Sequence, residues 1–313
     1  MMGHRWWQNQ VAESRLTLPL SVAVFLIVRV LEGTPVNFDT VSGAWLCLLT
    51  AIVIKVTNVE LKILRVRSRL SESLWLLMAA TMPWICSIDV PVVCALGLAG
   101  ALGLLVSCYQ TREPVGRVFH SFMLLGGGGV LSPVMLLLCP LFYLCLALFL
   151  RSFSWKTFWA GVVGLVAPFC FWMLYGLCTG DTTFDGVWTM EWWQAALSRG
   201  GFSLLPDEQI VPVWGMLVLV SLVGIVHYMR KRYEDKIRVR MMYYVYLYVT
   251  LFLHVLFLIL PSSRLEVLAM LAVSSSPLLA HYWAMVGGRV GQVTLLVCLA
   301  VWAGVLVVSY LAV

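Results

Sequence analysis

The chain has 313 residues, of which 61% are hydrophobic and only 12% are charged, and its formal net charge is +6. Soluble domains are usually about 45–50% apolar and about 25% charged, so this composition excludes a water-soluble fold and indicates an integral membrane protein. The basic residues occupy short gaps between apolar runs, which is typical of membrane topology signals and excludes nucleic acid as a partner.

Eleven apolar runs predict eleven transmembrane helices in a single all-α membrane domain. In chain order they cover 17–31, 41–56, 71–88, 90–109, 118–131, 133–150, 158–178, 211–228, 241–260, 267–285 and 290–312. The first seven form an amino-terminal module (1–178), and the last four occupy 211–313. Between them lies a long outer loop (179–210), in which Trp188 and Trp192 are spaced for a short interfacial helix.

The distribution of Lys and Arg predicts the orientation of the chain. Eighteen of the 21 bases lie in alternate gaps, at 1–16, 55–70, 110–117, 151–157, 229–240 and 286–289. The opposite gaps hold nine of the 15 acids. The positive-inside rule then places the amino terminus in the cytoplasm and the carboxyl terminus outside. We expect a multi-pass protein of the inner (cytoplasmic) membrane, surrounded by the lipid bilayer.

Residues 118–150 predict a short helical hairpin. Basic residues stand on both sides of this stretch, so both of its ends belong at the cytoplasmic face. The glycines at 126–129 and the step from Ser132 to Pro133 supply the break between its two helices. Two full crossings and a partly re-entrant hairpin are both compatible with the sequence.

Candidate site residues lie at the predicted outer face. Carboxylates there could act as a general base or hold a divalent cation beside a phosphate leaving group. A divalent cation is the only cofactor that this pattern suggests, and no His or Cys spacing predicts a metal site. The candidate catalytic residues are Asp39 and Glu32, and those for lipid-phosphate or substrate binding are Arg264, Arg29, Asp181, Asp185 and Trp192. The competing interpretation is that they are loop charges that only follow topology.

The common catalytic and transport signals are missing from the sequence. There is no Walker loop, no GxSxG and no HExxH motif. The nine cysteines form no CxxC pair and lie mostly within apolar runs, so they indicate neither a disulfide framework nor zinc. No acid stands at the centre of a span, which argues against an ion-coupled transporter.

Several stretches resemble integral membrane glycosyltransferases of the GT-C fold, which use polyprenyl-phosphate-linked sugars. Residues 63–84 (ILRVRSRLSESLWLLMAATMPW) resemble an inner loop leading into a helix that ends at a proline, and 99–113 (AGALGLLVSCYQTRE) resemble the following helix. Residues 119–172 resemble the small-residue helix pair with its basic gap and the next helix. Residues 260–283 (LPSSRLEVLAMLAVSSSPLLAHYW) are similar to the late segment with a proline and an arginine. The whole chain also resembles a polytopic inner-membrane family of Bacteroidota of uncharacterised function.

The resemblance implies a glycosyltransferase-like protein that handles a lipid-linked sugar at the outer face of the membrane. In that family a long first outer loop carries the catalytic acid, whereas here this loop has about nine residues with only Glu32 and Asp39. A scaffold without catalysis is therefore the alternative: a subunit of an envelope-assembly or export machine with envelope proteins as partners. A transporter is the third hypothesis.

Overall fold

The computed structural model describes residues 14, 16–31, 37–63, 68–86, 89–179, 210–286 and 288–311. These residues form eleven α-helices, three short 3-10 turns and no strand. The α-helices are α1 (Thr17–Leu31), α2 (Phe38–Leu61), α3 (Leu70–Ala80), α4 (Val90–Ser107), α5 (Val115–Leu131), α6 (Val134–Leu148), α7 (Trp155–Thr179), α8 (Ile210–Lys231), α9 (Ile237–Ile259), α10 (Arg264–Met285) and α11 (Arg289–Leu311).

Each predicted apolar run overlaps one of these helices, although the bounds differ, so the all-α fold of a membrane protein is confirmed. Seven helices are long and apolar enough to cross a membrane, namely α2, α4, α7, α8, α9, α10 and α11. The other four, α1, α3, α5 and α6, are apolar but shorter. The number of complete crossings and the orientation of the termini remain predictions.

Helix α3 differs from its predicted form, a continuous span over 71–88. The α-helix ends at Ala80, and a 3-10 turn follows at Pro83–Cys86. Pro83 lacks an N–H donor and disfavours helical geometry in the residue before it, which explains the break. Ten of the 11 residues of α3 are buried. The broken backbone is thus enclosed by protein, as irregular backbone at membrane depth must be.

Helices α5 and α6 form the predicted hairpin. The turn lies at Ser132 and Pro133, but the glycines at 126–129 do not break the helix, because α5 continues to Leu131. The backbone N–H of Gln110 donates to the Leu150 carbonyl at 3.0 Å, which brings the two open ends of the hairpin together. At 1.5 Å per residue the two helices are roughly 25 and 22 Å long, shorter than a hydrocarbon core of about 30 Å.

Helix α10 is the centre of the structure. Eighteen of its 22 residues are buried, and it packs against α3, α4, α8 and α9. Pro277 lies within this helix and cannot donate the backbone hydrogen bond that the Val273 carbonyl would otherwise receive. The Ser276 hydroxyl donates to that carbonyl instead, at 3.0 Å. The local sequence therefore supplies the donor that its own proline removes.

Helix ends predicted for the same face meet in the structure. At one end, Arg29 of α1 reaches the carboxyl end of α3, and Asp89 before α4 lies close enough to Glu266 of α10 for their charges to interact. At the other end, Asp235 before α9 pairs with His281 near the carboxyl end of α10. The alternating helix directions bring these ends together, and they define an Arg29 end and an Asp235 end of the protein.

Candidate functional site

The main candidate site is a groove on the flank of the protein, formed chiefly by α2, α4, α5 and α7. Two cavities make up this groove, one of about 1030 Å³ and one of about 940 Å³. Both are lined by Val53 and Gly100, so they adjoin each other on the same flank. We call the first the polar compartment and the second the apolar compartment.

The apolar compartment lies toward the Arg29 end, between the second half of α5 and the second half of α7. Its wall carries no charged side chain. Four glycines contribute to the wall, and a Cβ atom added to one of them, Gly127, would meet open space. The lack of a side chain at Gly127 therefore contributes to the volume of the apolar compartment. The lining residues are Val53, Val93, Leu96, Gly97, Gly100, Met123, Leu124, Gly127, Gly128, Val130, Leu131, Pro168, Phe171, Trp172 and Tyr175.

The polar compartment lies at the Asp235 end, where α2 and α4 finish and α5 and α9 begin. Its charged residues are two cations, Arg117 and Arg238, and one anion, Glu60. The other lining residues are Ile52, Val53, Val56, Thr57, Leu61, Gly100, Gly103, Leu104, Ser107, Tyr109, Gln110, Thr111 and Ile237. The whole groove is therefore amphipathic along its length.

One hydrogen bond fixes the polar compartment. The Arg117 guanidinium donates from Nη1 to the Ser107 carbonyl at 2.7 Å, which ties the start of α5 to the end of α4.

The predicted site residues are not brought together around this groove. Asp39 is exposed in the first turn of α2, whereas the polar compartment is lined by the last turns of the same helix. Arg264 is buried at the start of α10, with its guanidinium carbon 5.6 Å from the centre of the Phe257 ring. Glu32, Asp181, Asp185 and Trp192 lie outside the described residues.

Arg29 binds the end of α3 and does not line the groove. Its Nη2 donates to the Ala79 carbonyl at 2.7 Å and to the Met82 carbonyl at 3.1 Å. These carbonyls stand where α3 breaks; each accepts a backbone N–H, Ala79 from Met82 at 3.1 Å and Met82 from Ile85 at 3.2 Å, and the guanidinium is a further donor to both. Arg29 therefore caps the broken end of α3 with a charged donor.

The groove was not predicted from the sequence. The glycines of α4 and α5 are its signal, but the run from Gly126 to Gly129 predicts a helix break that the structure does not contain. Away from the groove, Asp89 and Glu266 interact at the Arg29 end, a relationship that no sequence pattern indicates because they are 177 positions apart. Among the described residues, no group of three or more His, Cys, Asp or Glu side chains could hold a metal ion.

Comparison with known proteins gives no match: no protein family, no curated protein and no solved structure is similar to the chain at a significant level. The groove and its two compartments therefore carry the functional argument.

Proposed function

We propose that this protein binds a membrane lipid in the groove, with the acyl or prenyl chain in the apolar compartment and the headgroup in the polar compartment. The observation that carries the proposal is that an apolar and a polar compartment adjoin each other at Val53 and Gly100. A ligand that fills both must be apolar over one part and polar at the other, which is the defining property of a lipid.

The dimensions of the groove support a lipid. The residues of α4 that line it run from Val93 to Ser107, a distance of about 20 Å along a helix. One leaflet of a bilayer has a hydrocarbon layer about 15 Å deep, half of the usual core. The groove therefore has room for a single chain and part of a headgroup, and its flank position gives access from the surrounding bilayer.

The predicted orientation assigns the lipid to a leaflet. The polar compartment includes Arg117 and Arg238, which belong to gaps that the positive-inside rule places in the cytoplasm. We therefore expect the headgroup to come from the cytoplasmic leaflet.

The test uses a variant that fills the groove without a backbone clash. Gly127→Leu places a branched side chain in the open space of the apolar compartment. Native mass spectrometry in mild detergent should show retained lipid on the wild type and about tenfold less on Gly127→Leu, the effect of losing about 1.4 kcal/mol of binding free energy. The matched control is Gly215→Leu on α8, where an added Cβ also meets open space but outside the groove. Equal lipid retention by wild type and Gly127→Leu, or no lipid on the wild type, would overturn the proposal.

A second, more specific candidate function is glycosyl transfer from a lipid-linked sugar at the outer face. It is supported by the position of Glu266 beside Asp89 and only two residues from Arg264, because two carboxylates and a guanidinium suit acid–base chemistry next to a phosphate. Asp39→Asn and Glu266→Gln, each assayed for transfer in proteoliposomes with a polyprenyl-phosphate sugar, should lower the rate. Full activity of either variant removes that residue from the mechanism.

The non-catalytic alternative predicts a different result in the same mass spectra. A scaffold or subunit of an envelope-assembly machine should retain a stoichiometric protein partner. Wild-type protein with such a partner and without lipid would favour the scaffold over both lipid proposals.

A further inference from the structure

Resting on the proposed function, we infer that the polar compartment selects an anionic phosphodiester headgroup that also carries hydroxyl groups. Phosphatidylglycerol is the simplest common lipid of this class. The inference depends on the charge of the compartment, on the anchoring of the segments that carry its two arginines and on the kind of hydrogen-bonding atoms between them.

The charge of the compartment favours an anion. Arg117 and Arg238 outnumber Glu60, so the lining carries a net positive charge. Arg238 also lies in the first turn of α9, a helix of 23 residues whose amino end carries a partial positive charge. Phosphate oxygens match both features, because guanidinium N–H groups and free backbone N–H groups at a helix start both donate to them.

The two arginines stand on backbone that is held in place. Arg238 follows Asp235 by three residues, and the Asp235 carboxylate is paired with His281 of the central helix at 2.8 Å. Arg117 is held through its bond to the Ser107 carbonyl. A site built on anchored segments loses less entropy on binding than a site on a flexible segment.

Two hydroxyl groups and one carboxylate of the compartment are available as acceptors. The Thr57 hydroxyl already donates to the Val53 carbonyl at 2.9 Å, and the Ser107 hydroxyl donates to the Leu104 carbonyl at 2.6 Å. Their oxygen lone pairs remain for a ligand, as do those of the Glu60 carboxylate. A headgroup with donors of its own can therefore bind these acceptors, and hydroxyl groups supply such donors without cancelling its negative charge.

The Glu60 carboxylate in the lining disfavours phosphatidic acid, the simplest anionic lipid. Phosphatidic acid has a phosphate monoester with nearly two negative charges and no hydroxyl donor apart from the phosphate itself. Glu60 would repel the extra negative charge of the phosphate and would find no hydrogen-bond donor on this headgroup. A phosphodiester with one charge and a hydroxylated substituent fits Glu60 as well as the arginines.

The experiment compares lipids with the same acyl chains. Delipidated full-length protein is offered equimolar phosphatidylglycerol, phosphatidylethanolamine and phosphatidylcholine, and the retained species are quantified by native mass spectrometry. We expect about a tenfold preference for phosphatidylglycerol over phosphatidylcholine, the effect of one charge-assisted hydrogen bond. Arg238→Gln should remove the preference while total lipid retention stays unchanged. Arg289→Gln, an exposed base at the start of α11 and outside the lining, is the matched control.

Each outcome has a definite meaning. Equal binding of all three lipids, a preference for phosphatidylethanolamine, or an unchanged preference in Arg238→Gln overturns the headgroup inference but leaves lipid binding intact. If the wild-type protein retains none of the three lipids, the proposed function itself is overturned. Glycerol phosphate that binds the wild type as tightly as phosphatidylglycerol does would show that the acyl chains contribute nothing, and would assign the compartment to a soluble phosphate ester instead of a lipid headgroup. An unchanged melting temperature of Arg238→Gln excludes misfolding as the cause.

Discussion

His281 Nε2 and Asp235 Oδ2 lie 2.8 Å apart, and the side chains of both residues are almost wholly buried, with 3% and 2% of their surface exposed. A hydrogen bond between the imidazole nitrogen and the carboxylate oxygen gives each of these buried groups a partner. The pair joins the central helix α10 to the segment that begins α9. Tyr243 packs edge-on against the imidazole, with ring centres 4.7 Å apart. The Asp235 end of the protein is thereby anchored to its centre.

Replacing His281 should be strongly destabilising. His281→Phe keeps the ring volume but leaves the buried Asp235 side chain without its hydrogen-bond partner, which costs about 1–3 kcal/mol or more. Thermal unfolding in detergent should show a clearly lower melting temperature. His120→Phe is the control, because His120 is exposed on α5 and its ring nitrogen contacts only a carbonyl of its own helix. Equal melting temperatures for the two variants would contradict a stabilising role for the pair.

The cap on α3 gives a second prediction. Arg29→Met removes the guanidinium from the Ala79 and Met82 carbonyls, and we expect a loss of about 1–3 kcal/mol because these are charge-assisted hydrogen bonds. Arg29→Lys should restore part of the stability, since an ammonium can still donate to one carbonyl. Arg289→Met serves as the control at an exposed arginine. The prediction is wrong if Arg29→Met and Arg289→Met unfold at the same temperature.

The crossing of α5 and α7 gives a third prediction, because it requires glycine at two positions. A Cβ atom at Gly126 would overlap the Leu165 carbonyl, and one at Gly164 would overlap the Phe119 carbonyl. Since both obstacles are backbone, Gly126→Ala and Gly164→Ala should each destabilise the protein by about 1–3 kcal/mol. Gly127→Ala is the adjacent control and should be neutral or slightly stabilising, because its Cβ has open space and alanine favours helix. Unfolding in detergent measures all three.

The serines of α10 give a fourth prediction. Ser276→Ala removes the hydroxyl that donates to the Val273 carbonyl, which Pro277 cannot serve. A buried carbonyl left without a donor costs about 1–3 kcal/mol. Ser274→Ala is a close control, because Ser274 is equally buried but its hydroxyl contacts the Leu271 carbonyl, which has no proline four residues later. A larger loss of stability in Ser274→Ala than in Ser276→Ala would contradict this account.

The orientation of the chain gives a fifth prediction. A reporter fused after Arg232 should be cytoplasmic, and a reporter at the carboxyl terminus should be extracytoplasmic, because bases concentrate in the gaps on the predicted inner side. Paired fluorescent and phosphatase fusions measure both positions. An extracytoplasmic reporter after Arg232 would reverse the orientation and would move the polar compartment to the outer leaflet.

The sequence by itself determined the helices and the hairpin. Each apolar run became a helix because a backbone in lipid must satisfy its own hydrogen bonds, and this requirement is local. The bases around 118–150 placed both hairpin ends on one side for an equally local reason. The predicted span over 71–88 did not include the break in α3, because hydropathy does not register that Pro83 lacks an N–H donor and disfavours helix before it.

Only the tertiary structure decided which helix is central and where the groove lies. Among the seven long helices, α10 is the least hydropathic and the most buried, whereas the more hydropathic α11 is largely exposed. Lipid solvates apolar side chains as well as protein does, so hydrophobicity does not drive a helix inward, and polar groups such as Ser274, Ser275 and Ser276 are placed in the interior instead. The groove depends on which glycines of separate helices come to face one another, and that alignment is a property of packing that no single segment of the chain contains.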